Sequence, residues 1–137
     1  MKLKNLKLAV IGLGYVGLPL AIEFAKKRVT IGFDIDKKRI KELKSGLDKT
    51  LEQTKKQIKN AKKLQLTSSK KDLQFANCYI VTGPTPIDEL KKSVELYDMN
   101  SVILLIEGPR AAYGKIILNN MGFDNVMYLK EGYNRLK

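Results

Sequence analysis

Three glycines at fixed spacing, Gly12-Leu13-Gly14-Tyr15-Val16-Gly17, interrupt the apolar run "LKLAVIG" and lead into a stretch of helical spacing. That arrangement suits the cradling of a pyrophosphate. The first glycine permits a tight turn, the second lets phosphate oxygens approach the backbone, and the third lets the helix pack on the preceding strand. The helix start then offers its N–H groups and the positive end of its dipole to the anion. Pro19 is tolerable there, because first-turn amides lack intrahelical partners. Asp34 stands 22 residues after Gly12, at the end of the next β-rich run. A carboxylate so placed can accept both hydroxyls of an adenosine ribose. Its charge would repel a 2′-phosphate, which favours NAD over NADP. The bland alternative keeps the glycines for strand–helix packing alone and makes Asp34 an ordinary strand-end residue.

Other chemistries are poorly supplied. Histidine is absent and there is a single cysteine, Cys78. Imidazole acid–base catalysis is thereby excluded, and a zinc site lacks its usual ligands. Cys78 cannot form an internal disulfide and reads as a small core residue at the start of a strand. The net charge of +12 raises the question of nucleic acid, but only 4 of the 26 basic residues are arginine. Base readout and stacking favour arginine and clustered exposed aromatics, so the lysines read as solvated helix faces and no nucleic-acid partner is expected. No apolar run approaches the roughly 20 residues needed to span a bilayer, and no cleavage-type stretch follows "MKLKNLK". A cytoplasmic protein without a membrane partner is the expectation.

The elements that must position the glycines follow from period and punctuation. "LKLAVIG" is the first strand, followed by a helix from about Tyr15 to Lys27. "VTIGFDI" is the second strand, and residues 37 to 46 read as a helix stopped near Gly46. "LEQTKKQIKNAKK" carries a thin apolar stripe of Leu51, Ile58 and Ala61 and reads as a surface helix. "LQLTS" is a third strand, Asp72 to Phe75 a helical turn, and "CYIVTG" the fourth strand. "TPIDELKKSVELY" has a capping Thr85, Pro86 in the first turn and a core-facing stripe of Ile87, Leu90, Val94 and Tyr97. "SVILLIEG" is a fifth strand, apolar on both faces. Pro109 opens a helix to about Met121, ended by Gly122, and "NVMYLK" is the sixth strand. The pattern predicts one α/β domain over residues 1–137, a three-layer Rossmann-like doubly wound sheet. Its six mostly parallel strands are expected in the order 3-2-1-4-5-6, with the binding crevice between the first and fourth.

From residue 5 to about 90 the chain resembles the NAD-binding N-terminal part of the UDP-glucose/GDP-mannose dehydrogenase family, in its UDP-N-acetylmannosamine dehydrogenase branch. The resemblance is carried by "KLAVIGLGYVGLPLAIEFAKK", "GFDIDKKRIKELKSGLDKTLE" and "YIVTGPTPID". It implies adenosine contacts at Asp34 and Arg39, phosphate contacts along Leu13 to Val16, and a loop after the fourth strand at Gly83, Pro84 and Thr85. Gly83 departs from the larger apolar residue that the resemblance leads one to expect. The family's nucleophilic cysteine, helper lysine and sugar-nucleotide domain have no counterpart in these residues, so no catalytic residue is assigned.

From about Glu89 onward, "VILLIEGPRAAYGKIILNNMGFDNVMYLKEGYNRLK" resembles the C-terminal part of a rhodanese-like domain, through Gly108-Pro109-Arg110 and "MGFDNVMYLKEGY". That resemblance puts the nucleophile at Leu105, which cannot carry a persulfide. A glycine before a helix with Arg110 nearby still reads as an anion cradle or as a plain strand–helix connection. Together the two resemblances predict an engineered or shuffled chimera: residues 1–90 a dinucleotide-binding half, residues 91–137 a rhodanese-like fragment completing the sheet. Its function would be to bind NAD without turnover. Two alternatives stand beside it, an NAD-dependent fragment of a UDP-sugar 6-dehydrogenase and a purely structural de novo protein with no ligand.

Overall fold

The structure, a computed structural model, describes residues 3–82, 101–106 and 115–128. After a short 3-10 turn at Leu3–Asn5 come β1 (Leu8–Ile11), α1 (Gly17–Ala25), β2 (Thr30–Phe33), α2 (Lys37–Lys44), α3 (Lys55–Asn60) and β3 (Leu64–Thr67). A 3-10 segment at Lys70–Phe75 leads to β4 (Cys78–Thr82), and β5 (Val102–Ile106) and β6 (Val126–Tyr128) complete the strands. Residues 115–120 are helical. The helix expected to begin at Thr85 and the polar tail lie outside the described residues.

The strands form a single sheet in the order β3-β2-β1-β4-β5-β6, parallel at every junction. This is the Rossmann-like order expected from the sequence. Parallel neighbours need crossovers, and crossovers lay helices on the faces, so the inner strands are apolar on both sides. β1 and β2 are buried at every residue. Side-chain alternation divides the core in two. Leu8, Val10 and Ile80 meet α1, α2 and α3 on one face, through Leu18, Ala21, Ile22, Ile40, Leu43 and Ile58. Ala9, Ile11, Tyr79, Val81, Ile103 and Leu105 face the other way, against Leu73 of the 3-10 segment and Leu118, Phe123 and Val126. The result is three layers.

One helix differs from expectation. The segment read as helical from residue 51 is helical only over Lys55–Asn60. Leu51, assigned to the apolar stripe, has φ 55° and is 89% exposed. The cause is Asp48, whose carboxylate takes the amides of Thr50, Glu52 and Gln53 and bends the chain into a loop. Thr54 then starts α3 with a capping box to Gln57. Ile58 and Ala61 are buried as expected.

Candidate functional site

The site lies where β1 and β4 end side by side. Gly12 turns the chain away from β1 with φ +90°, left-handed backbone open to glycine. A side chain there would also run into the Thr82 carbonyl oxygen. The Gly12 N–H donates to the Phe33 carbonyl at 2.8 Å, and the Thr82 hydroxyl donates to the Gly12 carbonyl at 2.7 Å. The turn is thus tied to β2 on one side and to β4 on the other.

Gly17 opens α1 hard against that turn, since a Cβ would overlap the Gly12 carbonyl and the Thr82 hydroxyl. Gly14 is the opposite case: a Cβ would meet nothing within 4 Å. Val16, the N-cap of α1, makes no side-chain cap hydrogen bond. The first turn of α1 therefore takes no cap from the Val16 side chain, and the Leu18 N–H donates to the Gly14 carbonyl at 3.1 Å. Leu13 and Val16 are buried; Tyr15 is exposed.

Asp34 follows β2 directly. Its Oδ2 accepts the Leu13 N–H and its Oδ1 the Asp36 N–H, both at 2.9 Å. From α2, Arg39 grips the other end of the same residue, its Nε donating to the Leu13 carbonyl at 2.9 Å. Leu13 is consequently held at both its amide and its carbonyl. Its N–H is committed to Asp34, while a carboxylate with about four lone-pair sites keeps capacity for ribose hydroxyls.

Arg39 is buried, and its Nη2 pairs with Asp48 Oδ1 at 2.8 Å. Among the described residues, Arg39 Nη1 is buried with no hydrogen-bond partner. A charged donor left without an acceptor is costly. Open space at Gly14 fits an adenine dinucleotide. Of the residues expected at the site, Gly12, Leu13, Gly14, Tyr15, Val16, Gly17, Asp34 and Arg39 come together; Gly83, Pro84, Thr85 and Arg110 lie outside the described residues.

Two residues escaped the sequence reading. Thr82 gave no signal, because it reads as one more strand residue. Asp48 had a general one: an Asp side chain commonly takes the backbone amide two residues on, as Asp48 takes that of Thr50. Burial pushes the Asp48 carboxyl up, but hydrogen bonds from Thr50, Arg39 and the Gln53 amide outweigh it and hold the group below its ordinary 3.8. Cys78 packs partly buried against the α1 face, and burial raises its thiol above 9.0 although the Arg28 charge opposes this. That is the environment of an inert thiol.

A parallel 3-2-1-4-5-6 sheet with a glycine turn between β1 and β4, and a carboxylate ending β2, defines a dinucleotide-binding Rossmann protein. The chain belongs to the UDP-glucose/GDP-mannose dehydrogenase family, whose NAD binding domain matches residues 6–120, and its cofactor is NAD. It is 57% identical over 90 residues to a UDP-N-acetyl-D-glucosamine 6-dehydrogenase of Pseudomonas aeruginosa, covering 66% of this chain and 21% of that protein. It is 29% identical over 136 residues to a UDP-glucose 6-dehydrogenase of Campylobacter jejuni, covering 94% and 34%. Among solved structures, a UDP-D-ManNAc dehydrogenase from Pyrococcus horikoshii superposes with a TM-score of 0.72 at 27% identity, over 93% of this chain and 34% of that one.

These likenesses overturn the chimera. The family match runs through residue 90 without a break, and the Campylobacter relative aligns over nearly the whole chain. The rhodanese-like signature is the ordinary chemistry of a parallel crossover. Gly122, with φ +95°, ends a helix; Phe123 enters the core; Val126 starts β6 beside β5. A left-handed glycine is a common way for a helix to end before the next strand. The reading of a binding module without turnover falls with it, because the matched relatives are dehydrogenases. The chain spans about a fifth to a third of those relatives' lengths, so the lack of a nucleophile in it does not bear on their reaction. No helix among the described residues is long and apolar enough to cross a membrane.

Proposed function

We propose that the chain forms the cofactor-binding part of an NAD-dependent 6-dehydrogenase acting on a UDP-N-acetylhexosamine. The observation that carries the reading is the pair of clamps on Leu13, from Asp34 and Arg39, beside open space at Gly14. They fix the glycine turn in the shape a pyrophosphate needs before it arrives. The substrate class is supported by the 57% identity to the Pseudomonas enzyme. In this reading the amides of Gly14, Tyr15, Val16 and Gly17 meet the pyrophosphate, with Gly12 shaping the turn. Asp34 takes the adenosine ribose, Arg39 lies behind it, and Gly83, Pro84 and Thr85 border the nicotinamide side. NAD, when bound, accepts a hydride from the sugar carbon; the residues described here bind and orient it. A cytoplasmic setting belongs to the same reading, because that is where a dissociable nucleotide cofactor is supplied.

Calorimetric titration of the chain with NAD and with ADP-ribose tests the site. Saturable binding of both is expected, weakened at least tenfold by Asp34→Ala. No saturable binding at millimolar ligand, or indifference to that substitution, overturns it. NADH formation from UDP-N-acetylglucosamine against UDP-glucose, in the protein that carries this chain, tests the substrate class.

A further inference from the structure

Asp48 lies outside the glycine fingerprint, yet its side chain is wholly buried behind it. Its Oδ1 accepts from Arg39 Nη2 at 2.8 Å, from the Thr50 hydroxyl at 2.7 Å and from the Thr50 amide at 3.0 Å. Its Oδ2 accepts the amides of Glu52 and Gln53, each at 3.0 Å. The loop of residues 47–53 therefore closes around one carboxylate, and that carboxylate faces the guanidinium that holds Leu13. An unbraced arginine has to be ordered when a ligand binds, and that ordering weakens affinity; one already fixed escapes the loss. Arg39 is fixed on two sides, by Leu13 and by Asp48, with Nη1 buried and unpartnered among the described residues.

We propose that Asp48 is a positioning residue for the cofactor, acting through Arg39 to hold the Leu13 turn ready for the adenosine end of NAD. This rests on the cofactor reading above. Asp48 touches no ligand itself. A purely structural Asp48 would hold the 47–53 loop and change stability alone, so the two roles separate in binding measurements on folded variants.

The experiment is a double-mutant cycle read by titration of the 137-residue chain with NAD and ADP-ribose, at a temperature where circular dichroism shows every variant folded. Asp48→Asn is expected to weaken both ligands by the same factor, about tenfold, since the effect sits at the half they share. In an Arg39→Ala background the same substitution should add less than twofold. An unchanged Kd in Asp48→Asn, or a full loss that persists without Arg39, overturns the proposal while leaving NAD binding intact. No saturable binding by the unsubstituted chain instead overturns the cofactor reading, and this proposal with it. If Asp48→Asn does not fold, the Arg39 Nε–H resonance of the unsubstituted chain answers the question. A signal protected from solvent before NAD is added supports prior fixation; one that gains protection only with NAD overturns it.

Discussion

Gly14 and Gly17 lie three residues apart and differ in what a methyl group would meet. At Gly17 it would press on the Gly12 carbonyl, which is backbone and cannot yield. Gly17→Ala is expected to cost at least 1–3 kcal/mol of stability, about the size of core overpacking, seen as a lower urea midpoint. At Gly14 the methyl has room, so Gly14→Ala should melt within a few degrees of the unsubstituted chain. It should nevertheless lose at least about tenfold in NAD affinity, because the methyl stands where phosphate must approach. Titration beside a thermal melt separates the two. The Asp48 carboxyl makes a pH prediction. Its folded pKa is below the ordinary 3.8, so folding favours the ionised form. The unfolded chain then binds more protons in the acid range, and stability rises with pH there. The contribution is complete above the ordinary value and is lost as pH falls through the lower folded one. Asp48→Asn should cost about 3–5 kcal/mol at neutral pH, by stranding a buried arginine. Its urea midpoint should also fall less steeply than that of the unsubstituted chain below about pH 4.

The elements around the site end where local chemistry ends them. α2 stops in a complete left-handed cap: the Gly46 N–H donates to Leu43 and the Leu47 N–H to Glu42, with Gly46 at φ +87°. That cap turns the chain so that Asp48, two residues on, comes back to Arg39. Gly46→Ala should therefore cost about 1–2 kcal/mol through backbone strain, and Thr54→Ala about 1 kcal/mol through loss of the α3 cap. Both are read by chemical denaturation. The α2 stop was legible, because a glycine after a helical stripe has few other uses. So was the tight turn at Gly12, whose signal lies in spacing along the chain. The partners of Arg39 were not. Asp48 reaches it across a loop whose lysine-rich, weakly periodic sequence looks helical from residue 51, and periodicity registers apolar faces, not a carboxylate gathering amides. Thr82 was hidden for a related reason: its hydroxyl acts on Gly12, 70 residues away, from inside an ordinary strand. The later strands were found correctly but assigned to a foreign fold, because a Gly-Phe turn before a strand is common to many parallel α/β proteins.

At the scale of the whole molecule the glycine turn belongs to both cores. Val10 and Leu13 sit on the α1 face, Ile11 on the other, and the turn is hydrogen-bonded to β2 and to β4. β4 is in turn paired along its length with β5, and β5 with β6. A ligand on that turn should then stabilise every strand, provided that the sheet opens as one cooperative unit. A ligand that binds only the folded state slows global opening by 1 + [L]/Kd, about a hundredfold at a hundred times Kd. Native-state hydrogen exchange measures this amide by amide, since residues protected by global unfolding share one free energy. With NAD at that excess, the amides of Val10 in β1, Ile80 in β4 and Ile103 in β5 should all slow by the same factor of about a hundred. Slowing confined to β1 and β2, with Ile103 and Val126 unaffected, would mark the second half of the sheet as an independent unit. The cofactor would then be bound by the first half alone. Uniform slowing would mean that the strands beyond the crevice open only together with the site, as one unit in which β4 holds the Thr82 hydroxyl against Gly12.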